Sequence, residues 1–130
     1  MDAASGWFDA GCGDFISEHN YFRKLKVPED KTGRLPVISE YGGLTLSVPG
    51  HTYDPGNSYG YGALKDAGEL RARLEQLRST LHALEDEGLA GAVYTQVSDI
   101  QEEINGLLTY DRERKLPVTE VSESKLKDEE

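Results

Sequence analysis

The stretch LPVISEYGG, residues Leu35–Gly43, joins a short apolar run to a carboxylate and two glycines. Its first five residues predict a buried strand, which tolerates Pro36 because a proline near the start of a strand removes no ladder hydrogen bond. Glu40 follows at the end of that strand, where an ionised side chain is costly unless it is paired or exposed in a cleft. Glu40 is therefore either a turn residue or a group that carries chemistry.

Segments on both sides of this stretch predict further short strands. DFISEHNYF, Asp14–Phe22, mixes β-forming and polar residues, and LAGAVYTQ, Leu89–Gln96, is compact and mostly apolar. The glycine-rich segment at residues 2–15 is interpreted as a strand end followed by a loop. Residues 23–34 contain a proline and a glycine, and they predict a solvated loop or a helical turn.

The clearest predicted helix spans Ala63–Glu87, and Gly88 follows it where a left-handed C-cap belongs. Its leucines recur at spacings of three and four, which places them on one face. They are Leu64, Leu70, Leu74, Leu77, Leu81 and Leu84. We expect an amphipathic helix packed on a sheet, because the register runs for only about two heptads. The alternative is a coiled-coil seam, and with it a coiled-coil scaffold.

Two segments lack a helical or strand period. Residues 44–62 are rich in glycine, proline and tyrosine, and they predict a long irregular loop with an ordered contact surface. Asn105-Gly106 is a strong local turn signal. The order of strands, loop, long helix and strand predicts a parallel sheet of βα units. In such sheets polar groups gather at the carboxyl ends of the strands.

Composition excludes several classes of protein. The chain has 130 residues, enough for one domain, and its 24 acidic residues against 14 lysines and arginines give a formal net charge of −10. This charge argues against binding to nucleic acid or to an anionic membrane. The lone Cys12 excludes an intrachain disulfide, and no apolar run has the length of a membrane span or a leader. We expect a cytoplasmic protein without metal or cofactor, since no phosphate-binding glycine motif or close His/Cys cluster occurs.

The blocks DAASGW, GDFISEHNY, LPVISEYGG and GAVYTQVSDIQEEINGLLTYDR occur in that order within residues 1–115. They resemble the second half of the catalytic barrel of glycoside hydrolase family 2, which includes β-galactosidases, β-glucuronidases and β-mannosidases. The resemblance implies an α/β fold, a partial (β/α)8 TIM barrel that contains strands five to eight with their helices and loops. It implies a barrel domain at residues 1–116, followed by a charged, disordered tail at residues 117–130. SEYGG and NGLLTYDR are most similar to the β-galactosidase-like subgroup.

The resemblance also implies roles for individual residues. Glu40 matches the nucleophile of these retaining enzymes, at the tip of the seventh strand. The residues implied to line the sugar pocket are Trp7, His19, Asn20, Tyr21, Tyr94 and Gln96. Because a nucleophilic carboxylate must stay ionised, Tyr41, His19 and Asn20 are candidate hydrogen-bond donors beside it. A loop with His51, Tyr53, Tyr59 and Tyr61 lies where family members shape substrate subsites.

A second carboxyl group is the missing part of this mechanism. A retaining glycosidase needs two carboxyl groups about 5 Å apart. The family's acid/base is a glutamate preceded by asparagine on the fourth strand, and this chain contains no Asn-Glu dipeptide. Strands one to four and the acid/base are therefore expected to be absent.

Other carboxylates are weaker candidates for the missing acid. Asp99, Glu102 and Glu103 follow the last predicted strand, and we expect them to form a solvated acidic turn with capping roles. Glu18 is expected to point away from the cleft, because its neighbour His19 takes the pocket-facing position.

The sequence thus predicts part of a glycoside hydrolase that cleaves β-glycosidic O-glycosyl bonds of a carbohydrate substrate. The alternative is a catalytically silent half-barrel that acts as a carbohydrate-binding or assembly module. Half of a barrel exposes strand edges, so the isolated chain is expected to be marginal, dimeric or aggregation-prone, or to pair with a missing N-terminal half. Neither nucleic acid nor membrane is an expected partner.

Overall fold

The computed structural model describes residues 1–3 and 6–117. Their largest sheet has three parallel strands in the order β1-β2-β5, namely β1 (Phe15–Asn20), β2 (Leu35–Gly42) and β5 (Gly91–Thr95). A second sheet pairs two short parallel strands, β3 (Leu44–Thr45) and β4 (Gly62–Ala63). The helix α1 (Ala67–Asp86) connects β4 to β5. Of the predicted tail at residues 117–130, only Pro117 lies within the described residues.

The predicted partial (β/α)8 barrel is wrong. A barrel segment alternates each parallel strand with a helix, whereas the described residues contain one helix and a few parallel strands in two small sheets. The connection from β1 to β2 is irregular, since residues 21–34 include Pro28 and Gly33 and have no apolar helical period. The N-terminal segment forms an isolated bridge between Asp2 and Gly13 in place of the predicted fifth barrel strand.

The three strands of the main sheet were predicted, with different bounds. β1 is shorter than the predicted Asp14–Phe22, and β5 is shorter than the predicted Leu89–Gln96. β2 continues three residues past the predicted end at Ser39, so Glu40 lies within the strand. β2 is the central strand, with β1 and β5 on either side, and a side chain at its carboxyl end can therefore reach groups from both neighbours.

Both ends of α1 have sequence-encoded caps. The Asp66 side chain accepts a hydrogen bond from the Glu69 N–H at 2.8 Å, which starts the helix four residues after the predicted Ala63. Gly88 has φ +102°, and the N–H groups of Gly88 and Leu89 donate to the carbonyls of Glu85 and Leu84. These two bonds form a Schellman motif, in which Leu84 and Leu89 make the accompanying apolar contact.

The leucine face of α1 contributes to both clusters of the core, as expected for an amphipathic helix. One cluster under the sheet contains Leu25, Ile38, Leu84 and Leu89, with Leu77 and Leu81 packed against it. A second contains Leu44, Leu46 and Leu70, with Leu64 and Leu74 beside it. Each such leucine contributes about 1.5–3 kcal/mol when fully buried.

No helix in residues 1–3 and 6–117 is both long and apolar enough to cross a membrane.

A β-bulge in the central strand orients Glu40. The register of β2 shifts at Ser39 and Glu40 against both β1 and β5, so β2 has one extra residue there. Ile38 and Tyr41 would point to opposite faces of a regular strand, yet both contact the cluster under α1. The bulge therefore keeps both in the core and turns Ser39 and Glu40 to the opposite face, where His19 lies.

Candidate functional site

Glu40 is held by Tyr21, which follows β1, and His19 of β1 lies beside it. The Tyr21 hydroxyl donates a hydrogen bond of 2.5 Å to Oε2 of Glu40. Nδ1 of His19 lies 3.4 Å from the same oxygen, and the His19 side chain is only 7% exposed. The Glu40 side chain itself is 40% exposed. The carboxylate is thus fixed on one oxygen while solvent, or a ligand, can reach the group.

Tyr21 is suited to act as a donor and unsuited to act as a base. Burial and the hydrogen bond to Glu40 raise the pKa of Tyr21 above its ordinary value. The phenol therefore keeps its proton through the neutral range and continues to donate to the carboxylate. The phenol thus supplies a donor that orients the Glu40 carboxylate.

Trp7 completes this side of the site. Its ring meets His19 edge-on at a centroid distance of 5.1 Å and lies 6.4 Å from the Tyr21 ring. Two contacts fix the segment that carries it: the His19 N–H donates to the Gly6 carbonyl at 3.0 Å, and Arg34 forms two hydrogen bonds with Asp9, of 2.6 and 2.8 Å. Arg34 holds the pKa of Asp9 at about 2, so this anchor stays ionised at neutral pH.

Tyrosines from the long loop extend the aromatic surface. Tyr61 stacks on Tyr21 with centroids 4.2 Å apart and planes 9° from parallel, and Phe22 and Tyr59 both meet Tyr61 edge-on. Gly43 makes the stack possible, because a Cβ there would lie 2.7 Å from the Tyr61 ring and 2.9 Å from the Tyr21 ring. The second glycine of LPVISEYGG is therefore a packing requirement of the site as well as a turn.

The structure divides the tyrosine-rich loop between two places. Tyr59 and Tyr61 join the Glu40 surface, whereas the His51 ring pairs with Asp111 at 2.7 Å and Tyr53 contacts Tyr110. The sequence groups all four loop residues as subsite candidates without separating them. The sequence spacing of these four residues does not predict this division. The division depends on which other segment of the chain each half of the loop contacts.

Four other predicted site residues have different contacts. Asn20 stabilises the loop after β1, where its carbonyl oxygen accepts from the Arg23 N–H and its amide donates to the Lys24 carbonyl. Tyr41 packs in the core under α1 and meets Tyr94 edge-on at 5.5 Å. Gln96 donates to Oδ1 of Asn105 at 2.6 Å. The structure thus brings His19 and Tyr21 to Glu40, with Trp7 against both of them, while Asn20, Tyr41, Tyr94 and Gln96 contact other groups.

The carboxylates weighed as replacement acids differ sharply. Asp99 is 1% exposed and pairs with Lys115 at 2.8 Å, so it is a buried structural group rather than part of a solvated turn. Glu103 accepts from the Asn105 amide at 3.0 Å and bridges through its backbone to Tyr59, next to the aromatic surface. Glu18 lies 3.8 Å from Arg23 rather than beside Glu40.

Asn105 has a structural role near the site that its sequence context does not predict. Its side chain is completely buried and links Gln96 to Glu103. The Asn-Gly dipeptide by itself indicates only a turn. Gly106 is needed for close packing instead, since a Cβ there would lie 2.3 Å from the backbone of Ser98 and Asp99.

The site is open rather than enclosed. A cleft of about 360 Å³ lies beside Trp7 and His19, with Glu18, Arg23 and Lys26 in its walls, and Glu40 is outside its lining. Within residues 1–3 and 6–117, no three His, Cys, Asp or Glu side chains are placed to hold a metal ion together. The chemistry that these residues offer is that of an anchored carboxylate on an exposed aromatic surface.

Comparison with models of known protein families finds no match, and comparison with curated protein sequences finds no significant similarity. The resemblance to glycoside hydrolase family 2 therefore stays a prediction from the four sequence blocks.

Proposed function

We propose that this chain carries the nucleophile of a retaining, β-galactosidase-like glycoside hydrolase, with Glu40 as the attacking group. The observation that carries the proposal is the environment of Glu40: an exposed carboxylate anchored by Tyr21 among aromatic side chains. A carboxylate that only stabilises the fold is ordinarily occupied by cations or backbone N–H groups, as Asp30 is by Arg34 and Thr32. Aromatic rings offer the apolar faces on which sugar rings stack.

The chemistry assigned to Glu40 has two steps. Both contacts described above engage Oε2, so we assign the attack on the anomeric carbon to Oε1. The electron pair of the breaking C–O bond leaves with the aglycone oxygen, which needs a proton when the aglycone is an alcohol or a sugar. Water then attacks the same carbon, gives up a proton to a base or to solvent, and restores the Glu40 carboxylate.

The second candidate function is carbohydrate binding without catalysis. The openness of the site favours it, because Glu40 lies outside the lining of the neighbouring cleft and its side chain is 40% exposed. Glycoside hydrolysis depends on a developing charge that an excluded-water site stabilises best. Binding of a sugar by stacking and hydrogen bonds has no such requirement.

Dinitrophenyl β-glycosides separate the two functions, because dinitrophenolate leaves without protonation and a nucleophile alone suffices. With a panel of galactose, glucose, mannose and glucuronic acid glycosides, we expect a burst of dinitrophenolate and one glycosyl group added to the chain by intact mass. Peptide mapping should locate that group on Glu40, and Glu40→Gln should abolish it.

Glu75→Gln is the matched control, since Glu75 is an exposed glutamate on α1 and lies outside the site. It should label as the unmodified chain does. Labelling that survives Glu40→Gln, or that maps to another residue, would overturn the assignment of the nucleophile. Binding of the same sugars without any labelling would leave the non-catalytic function.

A cytoplasmic location is part of this proposal. The single cysteine, Cys12, is exposed and free, which suits a reducing compartment. Fractionation of source cells tests it, and recovery of the chain outside the cytosol would contradict it.

A further inference from the structure

A second cleft, here called the basic cleft, lies between α1 and the segment that follows β1. Its volume is about 520 Å³. Three cationic side chains line it: Arg23 and Lys24 from the segment after β1, and Arg73 from α1. None of the described residues that line it is an Asp or a Glu. A chain with a formal net charge of −10 therefore presents a local excess of positive charge in a concave part of its surface.

A buried amide fixes the backbone that carries two of these cations. Asn20 is 6% exposed; its carbonyl oxygen accepts from the Arg23 N–H at 3.0 Å, and its amide donates to the Lys24 carbonyl at 3.3 Å. Leu25, the next residue, is buried in the core cluster that contains Leu84. This wall of the cleft is therefore ordered before any ligand binds, which lowers the entropic cost of binding.

The cations keep donors that the protein leaves available. Nη1 of Arg73 donates to Oε1 of Gln76 at 2.7 Å, and this is one of the five N–H donors of a guanidinium group. Nη2 of Arg23 lies 3.8 Å from the Glu18 carboxylate, which is beyond hydrogen-bond distance. The planar fork of an arginine matches the oxygens of a phosphate or a carboxylate two at a time. The basic cleft is therefore equipped to bind an anion.

Apolar surface beside the cations favours an anion with an apolar body. Phe22 lines the cleft, is 72% exposed, and meets Tyr61 edge-on at 5.2 Å. Leu44 and Leu77 also line the cleft, at the border of a core cluster. A free inorganic ion leaves this surface in water, whereas an organic ligand removes it from water and gains the hydrophobic contribution. The volume of the cleft lies within the range of about 300–1,000 Å³ that is usual for small-molecule sites.

We propose that the basic cleft binds a small phosphate monoester with a flat apolar body. The phosphate group has a charge of about −1.5 to −2 at neutral pH and three acceptor oxygens, which suits three cations from two segments. The body of the ligand lies against Phe22 and the two leucines. A long polyanion is disfavoured, because the net charge of the chain repels the part that extends beyond the cleft. This inference goes beyond the proposed function and depends neither on Glu40 nor on catalysis.

Calorimetric titration of the full chain with three probes tests this proposal. Phenyl phosphate carries both the charge and the ring, inorganic phosphate carries only the charge, and benzyl alcohol carries only the ring. We expect phenyl phosphate to bind about tenfold tighter than either of the others, and its affinity to fall as the salt concentration rises. Arg73→Gln should weaken phenyl phosphate binding by about tenfold, the scale of one hydrogen bond between charged groups. Arg73→Lys keeps the charge without the fork and should lose less.

Arg78→Gln is the matched control, because Arg78 is an exposed arginine on α1 that does not line the basic cleft. It should bind every probe as the unmodified chain does. Phe22→Ala should remove the preference for phenyl phosphate over inorganic phosphate and leave the affinity for inorganic phosphate unchanged. Thermal unfolding midpoints show whether each variant is folded.

No binding of phenyl phosphate, equal affinity for phenyl phosphate and inorganic phosphate, or equal losses for Arg73→Gln and Arg78→Gln would overturn the proposal. So would tighter binding of a single-stranded oligonucleotide or a polyglutamate peptide than of phenyl phosphate, because the cleft would then be part of a surface for a polymer. Binding of phenyl phosphate by a chain that shows no glycosyl labelling would leave this inference standing and remove the catalytic proposal. Glycosyl labelling without phosphate binding would do the reverse.

Discussion

The Tyr21 hydroxyl donates its hydrogen bond to Glu40 across a β-bulge that turns the carboxylate out of the core. The extra residue in β2 lets Ile38 and Tyr41 both pack under α1, while Glu40 faces the aromatic surface. The core and the site therefore depend on the same irregularity.

Tyr21→Phe removes the donor to Glu40 and keeps the ring that stacks on Tyr61. A hydrogen bond to a charged group contributes about 1.5–3 kcal/mol, and Glu40 loses a fixed orientation without it. We expect glycosyl labelling of Glu40 by dinitrophenyl glycosides to slow by about tenfold or more. Tyr94→Phe is the control, because Tyr94 contacts Tyr41 instead of Glu40. Equal labelling rates for Tyr21→Phe and the unmodified chain would contradict the anchoring role.

Gly43→Ala should destabilise the fold and disrupt the Tyr21–Tyr61 stack. Its φ of +60° costs an alanine about 1–2 kcal/mol, and the new methyl group also overlaps both rings. Gly33→Ala isolates the backbone cost, since Gly33 has φ +81° and no atom lies within 4 Å of the place that a methyl group would take there. Urea unfolding should show a larger loss in the free energy of unfolding for Gly43→Ala than for Gly33→Ala. The near-ultraviolet circular dichroism should change only for Gly43→Ala. Equal losses would mean that the rings move aside freely.

The sequence predicted the parts that depend on local pattern. Leucine spacing located α1, and the apolar runs located the three strands of the main sheet. Tyr21 and His19 lie beside Glu40, and Trp7 lies against His19, while the sugar-binding roles that the family resemblance implies for them stay predictions. These features require only short-range order and one parallel pairing of neighbouring strands.

The features that sequence reasoning missed depend on long-range packing. The need for hydrogen-bond donors beside Glu40 made Tyr41 a candidate, but the bulge in β2 leaves Tyr41 packed in the core. The barrel prediction assumed a helix after every strand, and the chain lacks a helical period between β1 and β2. Asn105 could not be assigned from its dipeptide, because its role is a buried link between Gln96 and Glu103.

Stability should fall at high pH because of Tyr94. Burial, and to a smaller extent the charge of Tyr41, raises the pKa of Tyr94 to about 12. A tyrosine in the unfolded chain has a pKa of about 10. The neutral phenol is thus favoured in the folded state, so its contribution is complete below about pH 10 and is lost as the pH rises toward about 12. In urea unfolding measured across this pH range, the free energy of unfolding should decline less steeply with pH for Tyr94→Phe than for the unmodified chain. Tyr110→Phe, which changes a partly exposed ring, should lose unfolding free energy with pH as the unmodified chain does. Identical pH slopes for the unmodified chain and both variants would contradict this assignment.

The buried pair of Asp99 and Lys115 should stabilise the segment that carries Glu103 and Asn105. Nζ of Lys115 also donates to the Ile104 carbonyl, and Oδ1 of Asp99 accepts from the Gly106 N–H, both at 2.8 Å. Lys115→Met leaves a buried carboxylate without its cation and should cost about 3–5 kcal/mol in urea unfolding. The double variant with Asp99→Asn removes that charge and should recover part of the loss. A double variant whose loss equals the sum of both single losses would show that the two groups do not interact.

Self-association through β5 follows from its position at one edge of the sheet. Val93, Val97 and Ile100, on and after this strand, are each more than half exposed. An edge strand with apolar side chains can pair with a second copy of the chain. We expect sedimentation equilibrium to show concentration-dependent association that Val93→Lys weakens, because a charge on the contact must be desolvated when two copies pair. Phe8→Lys is the control, since it places the same charge on an exposed apolar side chain beside β1, at the other edge. A chain that sediments as a monomer at all concentrations, or that responds equally to both substitutions, would contradict association through β5.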